Sequence, residues 1–384
     1  MGRSNRVSGF PVSQNIITKG FINKKMVRDF HAGRDFMKIL YGVCGEGLGH
    51  ASRSRILIRF LQQHGHEVYI IAGGKAYSVL SKEFDQVLKV ESPQAFYQCN
   101  QVRILYTLLH NLYKTMVRTP VSFFKVRHLM KEFQPDLLIT DAEPISHFAA
   151  RFSGIKRISI DNPSALLYRK YPIKKREYPS WLFLFFALKL SLFGADKYII
   201  YDFFDEQINN PQVLFSKPLI QPGIRSHTST SEDHIFVYQT SLSFTYLFDS
   251  LKKFDETFVI YGFNREITTG NLIFKRFNED EFYHDIASSK AVMVNGGFTV
   301  ISEALYLKKP IFSLPIRHQF EQVFNARCIE RLGVGISHQK FCEDDLRHFL
   351  SNLGFYYENL QRYDAGNQNK ILARIEQEIQ NVHK

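Results

Sequence analysis

Residues 294–326 read VNGGFTVISEALYLKKPIFSLPIRHQFEQVFNA, and this stretch decides the fold. The apolar run Ala291–Val294 is short enough for a buried strand, and it ends in Asn295-Gly296-Gly297. A helical pattern starts near Phe298-Thr299, and a second short strand, Pro310–Ser313, follows it. Strand, glycine turn, helix and strand make one βαβ unit of a parallel sheet. Backbone N–H groups at such a helix start can bind a diphosphate without a metal. Glu303, four residues after Thr299, offers a carboxylate that accepts hydrogen bonds, as from two ribose hydroxyls. After Leu314-Pro315 and a polar loop come Glu321 and Gln322, types that hydrogen-bond sugar hydroxyls. Taken singly, Gly296-Gly297 reads as an ordinary turn and Glu303 as a solvated helix residue. Their order and spacing together argue for a site.

The same alternation extends in both directions. Strands are predicted at Lys38–Val43, Glu67–Ala72, Val87–Val90, Asp136–Thr140, Arg157–Ile160 and Lys197–Ile200. Helical patterns at Ala51–Gln63 and Tyr106–Phe133 lie between them, the second broken at Pro120. A punctuated stretch, Asn209–Ser231 with Pro211, Pro218, Pro222 and Gly223, reads as a connector. Strands resume at His234–Gln239, Thr257–Tyr261 and Asn271–Phe274, ahead of the unit quoted above. A polar-faced helical pattern covers Tyr356–Gln380. The expected fold is α/β, with two Rossmann-like doubly wound parallel-sheet domains facing across a cleft. The expected divisions are a flexible N-terminal extension at 1–36, a first Rossmann-like domain at 37–218 and a second at 219–355. The final segment, 356–384, is expected to pack back toward the first domain. The leader carries seven basic and two acidic side chains and no clear periodicity.

Between the first strand and the first helix lies Gly45-Glu46-Gly47-Leu48-Gly49-His50. Glycines here allow close approach of a ligand to the backbone. A Walker loop requires Lys-Ser/Thr after its last glycine, which is missing. A dinucleotide site requires an acid after the second strand, but that strand ends Ile71-Ala72-Gly73-Gly74. The remaining reading makes Gly45, Gly47 and Gly49 an acceptor-side loop and His50 a reactive group, since imidazole titrates near neutrality. The plain alternative is a polar residue in a helix's first turn. Asp141 ends the strand in Pro135-Asp136-Leu137-Leu138-Ile139-Thr140-Asp141, on the same sheet edge, and is the candidate to orient His50. It could equally cap the next segment, and Glu143 is a weaker substitute.

Composition narrows the classes. The chain has 384 residues, 45% of them hydrophobic and 22% charged, so it can bury full cores. Its net charge of +12 permits phosphate-bearing partners of any kind. There is no zinc finger, RNP-like signature or long basic tract, so nucleic acid is not an expected partner. The four cysteines form no CxxC pair, and scattered thiols fit a reducing, cytoplasmic compartment. No DxD is present, and Asp344-Asp345 sits in a predicted helix start, so no metal is expected. The longest apolar run, Trp181–Phe193, is 13 residues with Lys189 inside, short of the roughly 20 a span needs. It follows Arg169, Lys170, Lys174, Lys175 and Arg176, and basic plus apolar suggests contact with anionic lipid at the inner face of the cytoplasmic membrane. A buried helix after a basic loop is the alternative.

From about Phe274 to Gly335 the chain resembles the donor half of the MurG-type GT-B glycosyltransferases, which add N-acetylglucosamine to a lipid-linked peptidoglycan precursor. It is similar too to the UDP-glucuronosyl and plant glycosyltransferases. They share the glycine-rich turn, the helix glutamate, the proline-ended strand and an acid/amide pair before Asn-Ala. The Gly45–His50 loop is similar to their N-terminal loop ending Gly-His. The resemblance implies that Gly296, Gly297, Phe298 and Thr299 face the donor diphosphate and that Glu303 holds the ribose. It places Arg276 and Phe277 against the base, Glu321 and Gln322 on the sugar, and Gln239, Thr240 and Ser241 within reach of the phosphates. His50 would be the base and Asp141 its orienting acid. The implied reaction moves a hexose or N-acetylhexosamine from a UDP-sugar to a hydroxyl of an envelope or lipid-linked acceptor, with inversion. The nucleotide-sugar is then a co-substrate and no other cofactor is implied. Glu46 stands where the family's first loop has smaller residues, and the Glu-Gln pair with a shorter approach loop leaves the donor sugar open. A nucleotide-sugar 2-epimerase and a non-catalytic nucleotide-sugar-binding protein are the other classes compatible with the architecture.

Overall fold

The computed structural model describes residues 36–91, 97–98, 101–102, 104–169, 172–241 and 245–384. The predicted leader, but for Phe36, and Lys170 of the basic run lie outside these residues. Seven parallel strands form the first sheet: β1 (Lys38–Val43), β2 (Glu67–Ala72), β3 (Val87–Lys89), β4 (Leu137–Asp141), β5 (Lys156–Asp161), β6 (Lys197–Tyr201) and β7 (Val213–Ser216). Their order is β3-β2-β1-β4-β5-β6-β7. The second sheet contains β8 (His234–Tyr238), β9 (Thr257–Tyr261), β10 (Ile267–Thr269), β11 (Leu272–Phe274), β12 (Ala291–Val294), β13 (Ile311–Ser313) and β14 (Gly335–Ser337). Its order is β10-β11-β9-β8-β12-β13-β14, with only β10 antiparallel.

Both sheets are doubly wound, and each has a switch point where the chain leaves one side of its first strand and returns on the other. In the first sheet this lies between β1 and β4, where Val43 is level with Asp141. In the second it lies between β8 and β12, where Tyr238 is level with Val294. Open α/β sheets bind ligands outside the carboxyl ends of their strands at this point.

The near-continuous apolar strands follow from burial on both faces. Alternate residues of β1 serve separate cores. Ile39, Tyr41 and Val43 pack with Leu57, Ile58 and Leu61 of helix α1 (Gly49–Gln63), whereas Leu40 packs with Val126, Met130 and Phe133 of helix α2 (Ile104–Phe133). Each fully buried Leu, Ile or Val contributes about 1.5–3 kcal/mol.

Four local expectations need correction. Val213–Ser216, inside the predicted connector, is the edge strand of the first sheet. Gln207 pairs there with both the N–H and the C=O of Phe215. Helix α2 runs unbroken through Pro120, which is exposed and withholds only one N–H from the ladder. The pattern over Tyr356–Gln380 is two helices, Leu353–Arg362 and Gln368–His383. Gly366 at φ +77° and the Asn367 cap separate them. The last helix lies against the first sheet's half of the chain: Lys156 Nζ donates to the carbonyl of Val382 (2.7 Å) and Lys197 pairs with Glu378 (2.7 Å). Finally, β10 and β14 escaped prediction because neither forms an apolar run: Ile267-Thr268-Thr269 is exposed throughout, and Gly335-Ile336-Ser337 has one apolar side chain besides its glycine.

Candidate active site

The two switch points bring two uncapped helix starts together. Helix α1 begins at Gly49, and no side chain caps it. Before it, Gly47 adopts φ +71°, the left-handed turn that glycine takes without strain. Helix α3 (Phe298–Tyr306), in the second half of the chain, begins after Gly297, also without a side-chain cap. Uncapped starts leave backbone N–H groups for a ligand. The two are in contact: Thr299 Oγ1 donates to the Gly49 carbonyl at 3.3 Å, and a Cβ on Gly49 would stand 2.8 Å from that hydroxyl.

His50 and Asp141 are joined directly, with Nδ1 2.8 Å from Oδ1. The aspartate is also gripped by Arg53, Nε to Oδ2 at 2.6 Å and Nη2 to Oδ1 at 2.5 Å, and by the Ser54 hydroxyl at 3.2 Å. Burial alone would raise the Asp141 pKa, but the charge of Arg53 and the proximity of His50 outweigh it and hold it down at about 2. The alternative in which Asp141 caps the next segment fails. That cap is Glu143, which accepts from the N–H groups of Ile145 (3.0 Å) and Ser146 (2.7 Å). Glu143 is therefore committed and is no substitute partner for His50. Glu321 belongs to the same cluster: burial raises its pKa, while His50 and Arg53 oppose the rise.

Asn295 organises the second switch point. Its Oδ1 accepts from the Thr240 N–H (2.7 Å) and hydroxyl (3.1 Å), and its Nδ2 donates to Gln239 Oε1 (2.7 Å) and the Leu314 carbonyl (2.9 Å). Ser241 is buried beside this loop. Gly296 has no room for a side chain, since a Cβ there would sit 2.2 Å from the Gln322 carbonyl. Gln322 has a structural task as well. Its Oε1 accepts from the Gly296 N–H (3.2 Å) and the Ile316 N–H (2.9 Å), so it holds the turn and leaves only its amide nitrogen for a sugar. The Phe298 ring is buried against Phe203, centroids 4.7 Å apart, and only its backbone can meet a phosphate.

Glu303 is buried, and its carboxylate has no hydrogen-bond partner among the described residues. Burial, reinforced by Glu279, pushes its pKa up to about 8, with Arg55 opposing. A desolvated acceptor of this kind gains most from hydroxyl donors. Arg276 and Phe277 lie exposed on the loop after β11, with Phe277 leaning on Phe282 (5.4 Å). Arg55 of α1 bridges to the second half through Gln221 (3.0 Å) and Glu279. Among the described residues no three His, Cys, Asp or Glu side chains form a metal-binding group.

The sequence reading missed Arg53 and Asn295. Arg53 carried a signal: it is three residues from His50, on a helix face otherwise made of Ala51, Ser54, Leu57, Ile58 and Leu61. Asn295 carried none beyond its place after a strand.

The family described as Glycosyl transferase family 1 matches residues 37–354. An uncharacterized glycosyltransferase of Methanosarcina mazei is 26% identical over 333 residues, covering 78% of this chain and 85% of that protein. One of Methanosarcina acetivorans is 25% identical, covering 78% and 83%. Among solved structures, the spinosyn forosaminyltransferase SpnP superposes with TM-score 0.61 at 16% identity, over 90% of this chain and all of that one. The Streptomyces sp. SF2575 glycosyltransferase SsfS6, complexed with thymidine diphosphate, gives 0.62 at 14% identity, over 90% and 99%. These likenesses fix the architecture as the two-domain GT-B fold. With the family match covering most of its length, the chain belongs to glycosyl transferase family 1 and is a glycosyltransferase.

Proposed function

We propose that this glycosyltransferase moves a hexose or N-acetylhexosamine from a UDP-sugar to an acceptor hydroxyl by direct displacement with inversion. The observation that carries the reading is the contact between the His50 loop and the donor-side helix start, Thr299 to Gly49. His50 accepts the acceptor's hydroxyl proton, the acceptor oxygen bonds to the anomeric carbon, and the bond from that carbon to the diphosphate breaks. The departing charge meets the N–H groups at Gly297 and Phe298, the role of an oxyanion site. Glu303 receives ribose hydroxyls, and Arg276 and Phe277 flank the base. No resident metal is required in this reading, so EDTA leaves the rate unchanged. The thymidine diphosphate in SsfS6 supports a nucleotide-diphosphate donor in general.

The acceptor reading is a lipid-linked envelope precursor, met by a peripheral enzyme at the inner face of the cytoplasmic membrane. No described helix is long and apolar enough to cross a membrane. Helix Tyr178–Leu192 nevertheless exposes Leu182, Phe183, Phe186 and Leu190, and Phe152 and Phe124 on neighbouring helices are exposed too. Lys174, Lys175, Arg176 and Lys189 stand exposed on or next to that helix. Apolar side chains beside cations suit an anionic bilayer. Arg169 is not among them, because Asp202 and Glu206 hold it.

The test is nucleotide release across UDP-, GDP- and TDP-sugars with lipid extracts as acceptor. Release of UDP with a glycosylated product supports the reading. An isomerised nucleotide-sugar formed without acceptor points to a 2-epimerase. Tight nucleotide binding with no turnover points to a binding protein.

A further inference from the structure

We propose that Arg53 is a positioning residue of the site: it pins Asp141 so that His50 donates its Nδ1 proton to the carboxylate, leaving Nε2 as the ring's proton acceptor. The inference rests on the reading of His50 as base.

Three atoms form a near-equilateral triangle: His50 Nδ1, Asp141 Oδ1 and Arg53 Nη2, with sides of 2.8, 2.5 and 2.7 Å. Two protons on one guanidinium nitrogen lie about 120° apart, whereas Oδ1 and Nδ1 lie only about 60° apart seen from Nη2, so Nη2 cannot point a proton straight at each. Arg53 already holds both carboxylate oxygens in parallel, through Nε to Oδ2 and Nη2 to Oδ1. Such a bidentate, charge-assisted pair takes the inward Nη2 proton. Nδ1 can then receive only a bent share of an Arg53 proton, while it faces the carboxylate oxygen directly. Its close approach to Oδ1 is satisfied only if it carries its own proton. A neutral imidazole has one N–H, so Nε2 is bare.

Arg53 is suited to the task because it is itself fixed. It is 4% exposed, and its guanidinium lies 6.0 Å from the ring centroid of Phe298, the first residue of α3. The group that orients the dyad thus leans on the helix that would receive the diphosphate. Were the guanidinium proton on Nδ1 instead, the ring proton would sit on Nε2 and His50 could not act as base.

The experiment combines two readouts on the full chain. The first is 15N NMR of histidine-labelled protein, which reports the ring tautomer. Wild type should carry the proton on Nδ1 of His50, and a proton on Nε2 in neutral His50 overturns the proposal. The second is a double-mutant cycle in the transfer assay. Arg53→Met should lower kcat by roughly 10–100-fold with the donor KM changed less than twofold, as expected for a misaligned base. In an Asp141→Asn background the same change should cost less than threefold, because Arg53 acts through Asp141. Multiplicative losses, or a kcat within threefold of wild type for Arg53→Met, overturn it. If Arg53→Met alone fails to fold for want of a partner for Asp141, the comparison of Asp141→Asn with the double variant, which buries no unpaired carboxylate, carries the same test. His50→Ala separates the two levels. If it remains active, the base reading falls. If it is inactive while Arg53→Met is normal, only the present inference falls.

Discussion

If Glu303 holds the ribose, nucleotide binding depends on pH. Burial and Glu279 raise its pKa from the ordinary 4.5 to about 8 in the unliganded protein. Ribose hydroxyls donate to the ionised form, so binding below pH 8 must first remove a proton. Each pH unit below the pKa then costs about 1.4 kcal/mol, or tenfold in affinity. Between pH 6 and pH 8.5 the affinity for UDP should rise by more than tenfold and then level off. Stability runs the other way. Between 4.5 and about 8 the folded protein keeps a proton that the unfolded chain has lost, so stability without nucleotide falls as pH climbs through that window, by a few kcal/mol in all. Glu303→Gln removes the titrating group in nearly the same shape. It should abolish both trends, make the free protein more stable at pH 8.5, and weaken UDP binding there about 10–100-fold through loss of charge-assisted bonds worth about 1.5–3 kcal/mol each. Calorimetric titration of wild type and variant at both pH values measures this. The variant's own profile subtracts the titration of the nucleotide phosphate. Equal UDP affinity for the two proteins, with parallel pH profiles, would refute the assignment of Glu303 to the ribose.

The glycine turn gives a contrasting pair. Gly296→Ala forces a Cβ to within 2.2 Å of the Gln322 carbonyl and should destabilise the fold by about 3 kcal/mol or more in thermal melts. Gly297→Ala meets nothing closer than Val300 at 3.8 Å and should melt within a degree or two of wild type, while weakening nucleotide binding if the diphosphate sits on that backbone. On the acceptor side, Phe186→Asp with Leu190→Asp should cut co-sedimentation with anionic phosphatidylglycerol vesicles at least fivefold and leave UDP binding alone. Unchanged sedimentation would remove the membrane reading.

Much of this was legible because the signals are local. Runs such as Lys38–Val43 and Ala291–Val294 lie between glycine turns and amphipathic helices, and the doubly wound order follows from that alternation. Asp141 and His50 met because a strand's end and the following loop of its neighbour share one sheet edge. What stayed hidden depends on tertiary partners. Val213–Ser216 becomes a strand by pairing with β6, in a stretch whose prolines read as a connector. That Gln322 also holds the turn at Gly296 through its oxygen shows only in the fold. Glu143 and Asp141 are two residues apart and chemically alike, and only the backbone, with Ala142 at φ +53°, decides which caps the helix and which faces His50.

The most direct test of the central claim compares wild type with His50→Ala, following both nucleotide binding and sugar transfer from the donor that supports turnover. The account predicts that UDP binding persists within about threefold while transfer falls about 10²–10⁴-fold, the usual contribution of a general base. Transfer in His50→Ala at near the wild-type rate would contradict it.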